Sequence, residues 1–189
     1  MQAAIQRYFN RYIPFNDEET RFFCSYLQPK TFRKKEYLLR EGQICHYQFF
    51  ILEGLVRHFY IDSKGQEQTT QFGIENWWVT NMESFLRQCS SELSIQAIEE
   101  TTALLLTKRD LEYLYQKLPK LERAFRIITE NMLIAIQRRN AFHWYMKSED
   151  KYDMVRAHLP EFLQRVPQYM VASYLGMTPE HYSTVRKKG

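Results

Sequence analysis

The sequence predicts an α+β fold: an antiparallel, jelly-roll-like β-roll with flanking helices, then one long helix, then a small all-α helix-turn-helix. Three observations predict it. Between about residues 31 and 106, short aromatic and β-branched runs are punctuated by Gly42, Gly54 and Gly65 at intervals of 11 to 12 residues, a spacing that suits antiparallel strands rather than βαβ units. From 121 to 146, apolar residues recur in alternating steps of four and three, the period of a helix that pairs with another. From 168 to 187, two short helical patterns flank one glycine. The expected divisions are 1–118, 119–147 and 148–189.

Taken in order, Ile5, Tyr8, Phe9 and Tyr12 recur at helical spacing, and Asn16 can cap a second helix carrying Glu18, Glu19, Phe22, Phe23 and Leu27. Helical texture extends to about residue 29. Strands are then expected at Tyr47 to Leu52, Leu55 to Ile61, Glu67 to Phe72, Ser94 to Ile98 and Ala103 to Leu106. Asp62-Ser63-Lys64-Gly65 reads as a hairpin turn, and Met82 to Leu86 as a short helical insert. Thr107 can cap a helix that Pro119 closes, and the long helix follows from about Lys120 to Met146. Its seam holds Leu121, Phe125, Ile128, Met132, Ala135, Arg139, Phe142 and Met146. The seam suggests a homodimer. A helix burying a broad face against its own β-roll would give much the same pattern, and Ile127, Leu133, Ile134 and Ile136 leave room for both.

In the last segment, Ala172 is small where two helices would meet, and Gly176 comes four residues later, where a turn at positive φ is cheap. Thr178 offers a hydroxyl N-cap, Pro179 the first helical position and Glu180 an acidic start. Val171, Leu175, Met177, Tyr182 and Val185 are spaced to form the small core. That leaves Glu180, His181, Ser183, Thr184 and Arg186 outside, with Lys187 and Lys188 beyond. Such a face suits base edges in a major groove and flanking phosphates, so Thr178, Glu180, His181, Ser183, Thr184, Arg186, Lys187 and Lys188 are the candidate DNA-binding residues. An ordinary helical hairpin with a glycine turn is the plain alternative.

Composition narrows the function classes. The chain has 189 residues, 44% of them apolar and 15% aromatic, enough for a sizeable core. Net charge is +4, which permits a nucleic-acid partner without requiring one. Three widely spaced cysteines, Cys24, Cys45 and Cys89, form no CxxC pair, and no HExxH, GxSxG or glycine-rich phosphate loop occurs. No enzyme activity, cofactor or metal is therefore expected. His46 beside Cys45 fits a surface turn better than a haem site. No apolar stretch approaches the ~18 residues that span a bilayer, and the N-terminus shows no cleavage signal, so a cytoplasmic protein without a membrane partner is expected.

The order of these parts resembles the Crp/Fnr family of bacterial transcription regulators. LLREGQICHYQFFILEGLVRHFYIDSKGQEQTTQF is similar to that family's β-roll, ALLLTKRDLEYL to the strand and helix before its dimer helix, and QRVPQYMVASYLGMTPEHYSTVRKK to its terminal motif in compact members of Bacteroidetes type. The resemblance implies a homodimer with a small-molecule effector of unknown identity, a roughly palindromic DNA operator and RNA polymerase as a further candidate partner. Cyclic-nucleotide-binding relatives carry a Gly-Glu and an Arg-Ser pair for ribose and phosphate. Thr80-Asn81 and Ser91-Glu92 stand against these pairs, so the phosphate arginine is missing and cyclic AMP is not expected to bind. Arg57 and Arg87 are spare cations outside the motif. Trp77, Trp78, Asn81, Phe85, Ser91 and Glu92 mark the candidate pocket, which they either plug or shape for an apolar ligand. Thr184 stands where the family often has a base-reading arginine, and the sequence ends three residues after Arg186. The segment from His158 to Val166 leaves little room for the β-hairpin that longer relatives place before the motif. A compact motif of modest affinity is therefore expected, and a sensor or protein-interaction module that no longer binds DNA is the alternative.

Overall fold

The computed structural model describes residues 1–158 and 160–188, the side chains of His143, His158 and Lys188 excepted. Two helices open the chain, α1 (Gln2–Phe9) and α2 (Asp17–Cys24). Asn16 caps α2 as expected: its Oδ1 accepts the Glu19 N–H at 2.8 Å while Glu19 Oε2 accepts the Asn16 N–H at 2.9 Å, a reciprocal capping box. Eight strands follow: β1 (Gln28–Phe32), β2 (Tyr37–Leu39), β3 (Tyr47–Glu53), β4 (Val56–Ile61), β5 (Glu67–Gly73), β6 (Trp78–Val79), β7 (Ser94–Ala97) and β8 (Thr101–Thr107), with the short helix α3 (Met82–Arg87) between β6 and β7. They form two antiparallel four-stranded sheets in the orders β1-β8-β3-β6 and β2-β7-β4-β5. The α+β class read from the sequence is the class observed.

Sheet one begins earlier than the sequence suggested. Strand β1 starts at Gln28, inside the stretch read as helical, because Pro29 can sit in an edge strand whose named partner is β8. The hairpin at Asp62–Gly65 is as expected. The Gly65 N–H donates to Asp62 O at 2.9 Å, and Asp62 Oδ1 accepts from Lys64 N and Gln66 N.

Helix α4 (Lys108–Lys117) is capped by Thr107, whose Oγ1 accepts the Asp110 N–H at 3.0 Å. Helix α5 (Lys120–Tyr145) spans 26 residues. Then come α6 (Ser148–His158), α7 (Pro160–Arg165), α8 (Gln168–Leu175) and α9 (Pro179–Lys188). Among the described residues no helix is long and apolar enough to cross a membrane.

Two apolar cores organise the chain. The larger joins α1, α2, both sheets, α4 and the start of α5, with Phe9, Phe23, Phe49, Phe50 and Phe85 fully buried. Phe9 is a hub, stacked on Phe15 at 4.8 Å and edge-on to Phe23 at 5.1 Å. The smaller core holds the C-terminal helices, but Leu55, Phe72 and Ile98 of the β-roll belong to it. The last helices are therefore packed against the β-roll.

Candidate nucleic-acid interface and ligand cassette

Helices α8 and α9 cross around Gly176. Its φ of 71° ends α8 in the left-handed region, and its N–H donates to Ser173 O while that of Met177 donates to Ala172 O. Ala172 is fully buried at the crossing, beside Val171, Leu175, Met177, Tyr182 and Val185. Tyr182 also meets Tyr152 of α6 edge-on at 5.8 Å. Thr178 Oγ1 accepts the His181 N–H at 3.2 Å, capping α9. This is the geometry the spacing predicts.

The structure brings Thr178, Glu180, His181, Thr184, Arg186 and Lys187 together on the exposed side of the motif, with Ser183 half-buried at its edge. The Lys188 side chain lies outside the described residues. Thr184 turns its hydroxyl back onto Glu180 O at 3.0 Å, so its proton is already used within the helix. His181, Arg186 and Lys187 remain as donors, and Glu180 as an acceptor.

The candidate pocket residues separate. Trp77 is half exposed and Glu92 lies on the surface. Trp78 packs into the large core against Phe50 at 5.2 Å and Phe125 at 5.4 Å, its Nε1 buried without a hydrogen-bond partner among the described residues. Phe85 is fully buried. Asn81 caps α3 by accepting the Ser84 N–H and donates to Ser91 Oγ at 2.7 Å. The segment is thus closed by its own hydrogen bonds and aromatic packing. The two spare cations are also engaged. Arg57, 3% exposed, donates to Gln96 Oε1 and pairs with Glu67 at 2.7 Å, while Arg87 pairs with Glu83 at the surface.

The seam on α5 does not run free along its length. Leu121 and Phe125 are buried in the large core, and Phe142 in the smaller one. Arg139 stacks over the Tyr174 ring at 4.4 Å. Ile128, Met132 and Met146 are half-buried and Ala135 is exposed. The large exposed apolar residues of α5 are instead Leu133, Ile134, Ile136, Trp144 and Tyr145. The start of the predicted seam, Leu121, Phe125 and Ile128, is taken up by the protomer's own core, where Phe125 meets Phe9 of α1 at 5.9 Å and Trp78 of β6 at 5.4 Å. This is the broad-face burial that spacing alone leaves open.

Sequence reasoning missed one cluster entirely. Arg165, at the end of α7, donates to Glu75 through Nη2 at 2.7 Å and Nη1 at 3.1 Å, and to both oxygens of Glu99. Burial pushes the Glu75 carboxyl up, but the Arg165 hydrogen bonds and the N–H of Gly54 outweigh it and hold the carboxyl below its ordinary range. The partners are 66 and 90 residues away in sequence, so no local pattern could have signalled them.

Comparison with known proteins agrees with this fold. A search of curated proteins finds no match to the sequence. Among solved structures, the chain is similar to FixK2 from Bradyrhizobium japonicum, with 19% identity over 86% of this chain and 83% of that one and a TM-score of 0.72. It is similar to the c-di-GMP responsive global regulator CLP of Xanthomonas campestris, with 15% identity, coverage of 92% and 91%, and a TM-score of 0.74. It is also similar to the catabolite activator protein of Thermus thermophilus, with 20% identity, coverage of 92% and 83%, and a TM-score of 0.59. At these identities the likeness is one of fold. Residues 29–117 match the cyclic nucleotide-binding domain family, and the chain that carries this domain has the fold of Crp/Fnr-type regulators.

Proposed function

We propose that the protein is a dimeric, DNA-binding transcription regulator whose β-roll does not take cyclic AMP. The observation that carries the reading is the exposed polar side of α9, set against α8 by buried Ala172 and the left-handed turn at Gly176. A twofold dimer presents two such helices, which read DNA when they lie about one helical turn apart, ~34 Å. The dimer contact falls on the exposed stripe of α5, where Leu133, Ile136 and Trp144 follow at helical spacing around Asn140. A polar residue within such a stripe favours one register.

The absence of a cyclic AMP response is supported by the segment between β6 and β7. No arginine stands at Ser91, and Asn81 and Ser91 are hydrogen-bonded to each other. A buried phosphate there would lack a charge partner. In vitro selection of DNA from a random pool by the purified protein tests the reading. Enrichment of a two-half-site sequence supports it. Failure to enrich any sequence at moderate salt favours a protein-interaction module, a reading kept open by the engaged hydroxyl of Thr184.

A further inference from the structure

Three loops of the β-roll meet at one end: the turn at Gly54, the loop carrying Glu75 and the turn carrying Glu99. They are built to meet. Gly54 has φ +104°, and a Cβ there would lie 2.5 Å from Thr101 Oγ1 and 2.6 Å from Glu100 O, so the approach needs glycine. The Gly54 N–H donates to Glu75 Oε1 at 3.1 Å, and Thr101 Oγ1 accepts the Leu55 N–H at 3.2 Å and donates to Glu99 O at 3.0 Å. The Glu75 carboxylate is thereby aimed, and the Glu99 backbone fixed, by the β-roll itself.

Arg165 enters this socket from the C-terminal helices. Its side chain is 31% exposed, and those of Glu75 and Glu99 are 32% and 34% exposed, so all three are partly desolvated. Beside it, Phe162 of α7 meets Phe72 edge-on at 4.7 Å, and Tyr174 of α8 lies 5.1 Å from the same ring. Ser173 of α8 closes the open edge of β5. Its Oγ accepts the Thr69 N–H at 2.9 Å and donates to Glu67 O at 3.2 Å. Apolar contacts tolerate sliding. A guanidinium forked between carboxylates from two loops fixes direction as well as contact.

We infer that Arg165 is a positioning residue: by locking α7 and α8 onto the β-roll it sets where α9 stands, so DNA affinity depends on a side chain outside the recognition helix. The inference rests on the DNA-binding reading for its consequence, not for the clamp itself. The socket also reaches the candidate pocket residues at β6. Asn76, next to Glu75, adopts φ 64° and donates its N–H to Ile51 O, and Trp77 and Trp78 follow directly. A shift of β6 would move Glu75 and, through Arg165, the recognition helix.

The test uses the full chain with Arg165→Met, Arg165→Lys and Glu99→Gln, read by hydrogen exchange and by binding titrations on a selected operator. Arg165→Met is expected to speed exchange of the Thr69 amide roughly tenfold while strands β3 and β8 keep their protection. Operator affinity should fall roughly tenfold. The salt slope should stay unchanged, because giving up a cation on a DNA phosphate would lower it by about one. Arg165→Lys should recover part of both effects, and Glu99→Gln gives a milder variant should the methionine protein not fold. Unchanged exchange at Thr69 would overturn the clamp. Faster exchange with unchanged operator affinity would overturn the positioning role. A wild-type protein that binds no DNA would sink the regulator reading, while the exchange measurement would still decide the clamp.

Discussion

Asn81 Nδ2 donates to Ser91 Oγ at 2.7 Å, and Asn81 Oδ1 accepts the Ser84 N–H at 3.1 Å. One side chain therefore starts helix α3 and ties it to the segment leading into β7. Ser91, 3% exposed, passes the bond on by donating to Leu93 O at 2.7 Å. These are positions where the family resemblance places sugar and phosphate contacts. Here they are joined to each other.

The first prediction concerns that bond. Cyclic AMP should give no binding heat with the purified protein in calorimetry, and a micromolar association would overturn the reading. Asn81→Ala should cost about 1–2 kcal/mol in urea unfolding, from the lost helix cap and the lost hydrogen bond to Ser91. An unaltered midpoint would show that the bond closes nothing.

A second prediction follows from His58. The ring is buried on β4, and its Nε2 has no hydrogen-bond partner among the described residues. Burial lowers its pKa from 6.5 to about 4, with the Arg139 charge acting in the same direction. Since the folded value lies below the unfolded one, the neutral ring is the native form. The stability it allows is complete above the unfolded value and is lost as pH falls from 6.5 towards 4. Between about pH 7.5 and pH 5 the loss should be ~2 kcal/mol. Urea unfolding of wild type and His58→Leu at both values isolates this share. Equal pH slopes in the two proteins would show that the ring charges freely.

The dimer prediction separates two faces of α5. Leu133→Glu with Ile136→Glu places like charges on the exposed stripe and should give a monomer in sedimentation. Leu121→Ala should instead lower stability by ~2–5 kcal/mol while leaving the oligomer intact, because Leu121 is fully buried in the protomer's own core. An oligomer that survives the double substitution would place the interface elsewhere.

DNA binding should respond in two distinguishable ways. Lys187→Ala should weaken operator and random DNA alike and lower the salt slope by about one for each phosphate it no longer neutralises. Glu180→Ala should relax preference at one base position by ~1–3 kcal/mol, with non-specific binding unchanged or stronger. Titration of each variant on both DNAs at two salt concentrations reads the difference. If neither substitution matters, α9 is not a reading helix.

The capping signals were legible without the fold because they act over three or four residues. Asn16 with Glu19, Thr107 with Asp110, and Thr178 with His181 all bond within one turn. The seam on α5 was legible as a period but ambiguous in use. Leu121 and Ala135 lie on the same seam, yet one is fully buried and the other exposed, because helix spacing fixes a face and not the neighbour that covers it.

The amino-acid order by itself determined the local devices: the glycine turns, the caps, the helix and strand periods, and the small residue at the α8–α9 crossing. Their physics is short-ranged, set by backbone dihedrals and by bonds to residues a few places away. Only the tertiary structure decided which strands pair and where α8 docks. Strand β1 meets β8 through pairs such as Gln28 with Leu105, and Ser173 reaches Thr69 across 104 residues of chain. It alone brought Arg165 between Glu75 and Glu99, since charges so far apart in sequence attract one another usefully only after packing has removed water and placed them within hydrogen-bonding distance.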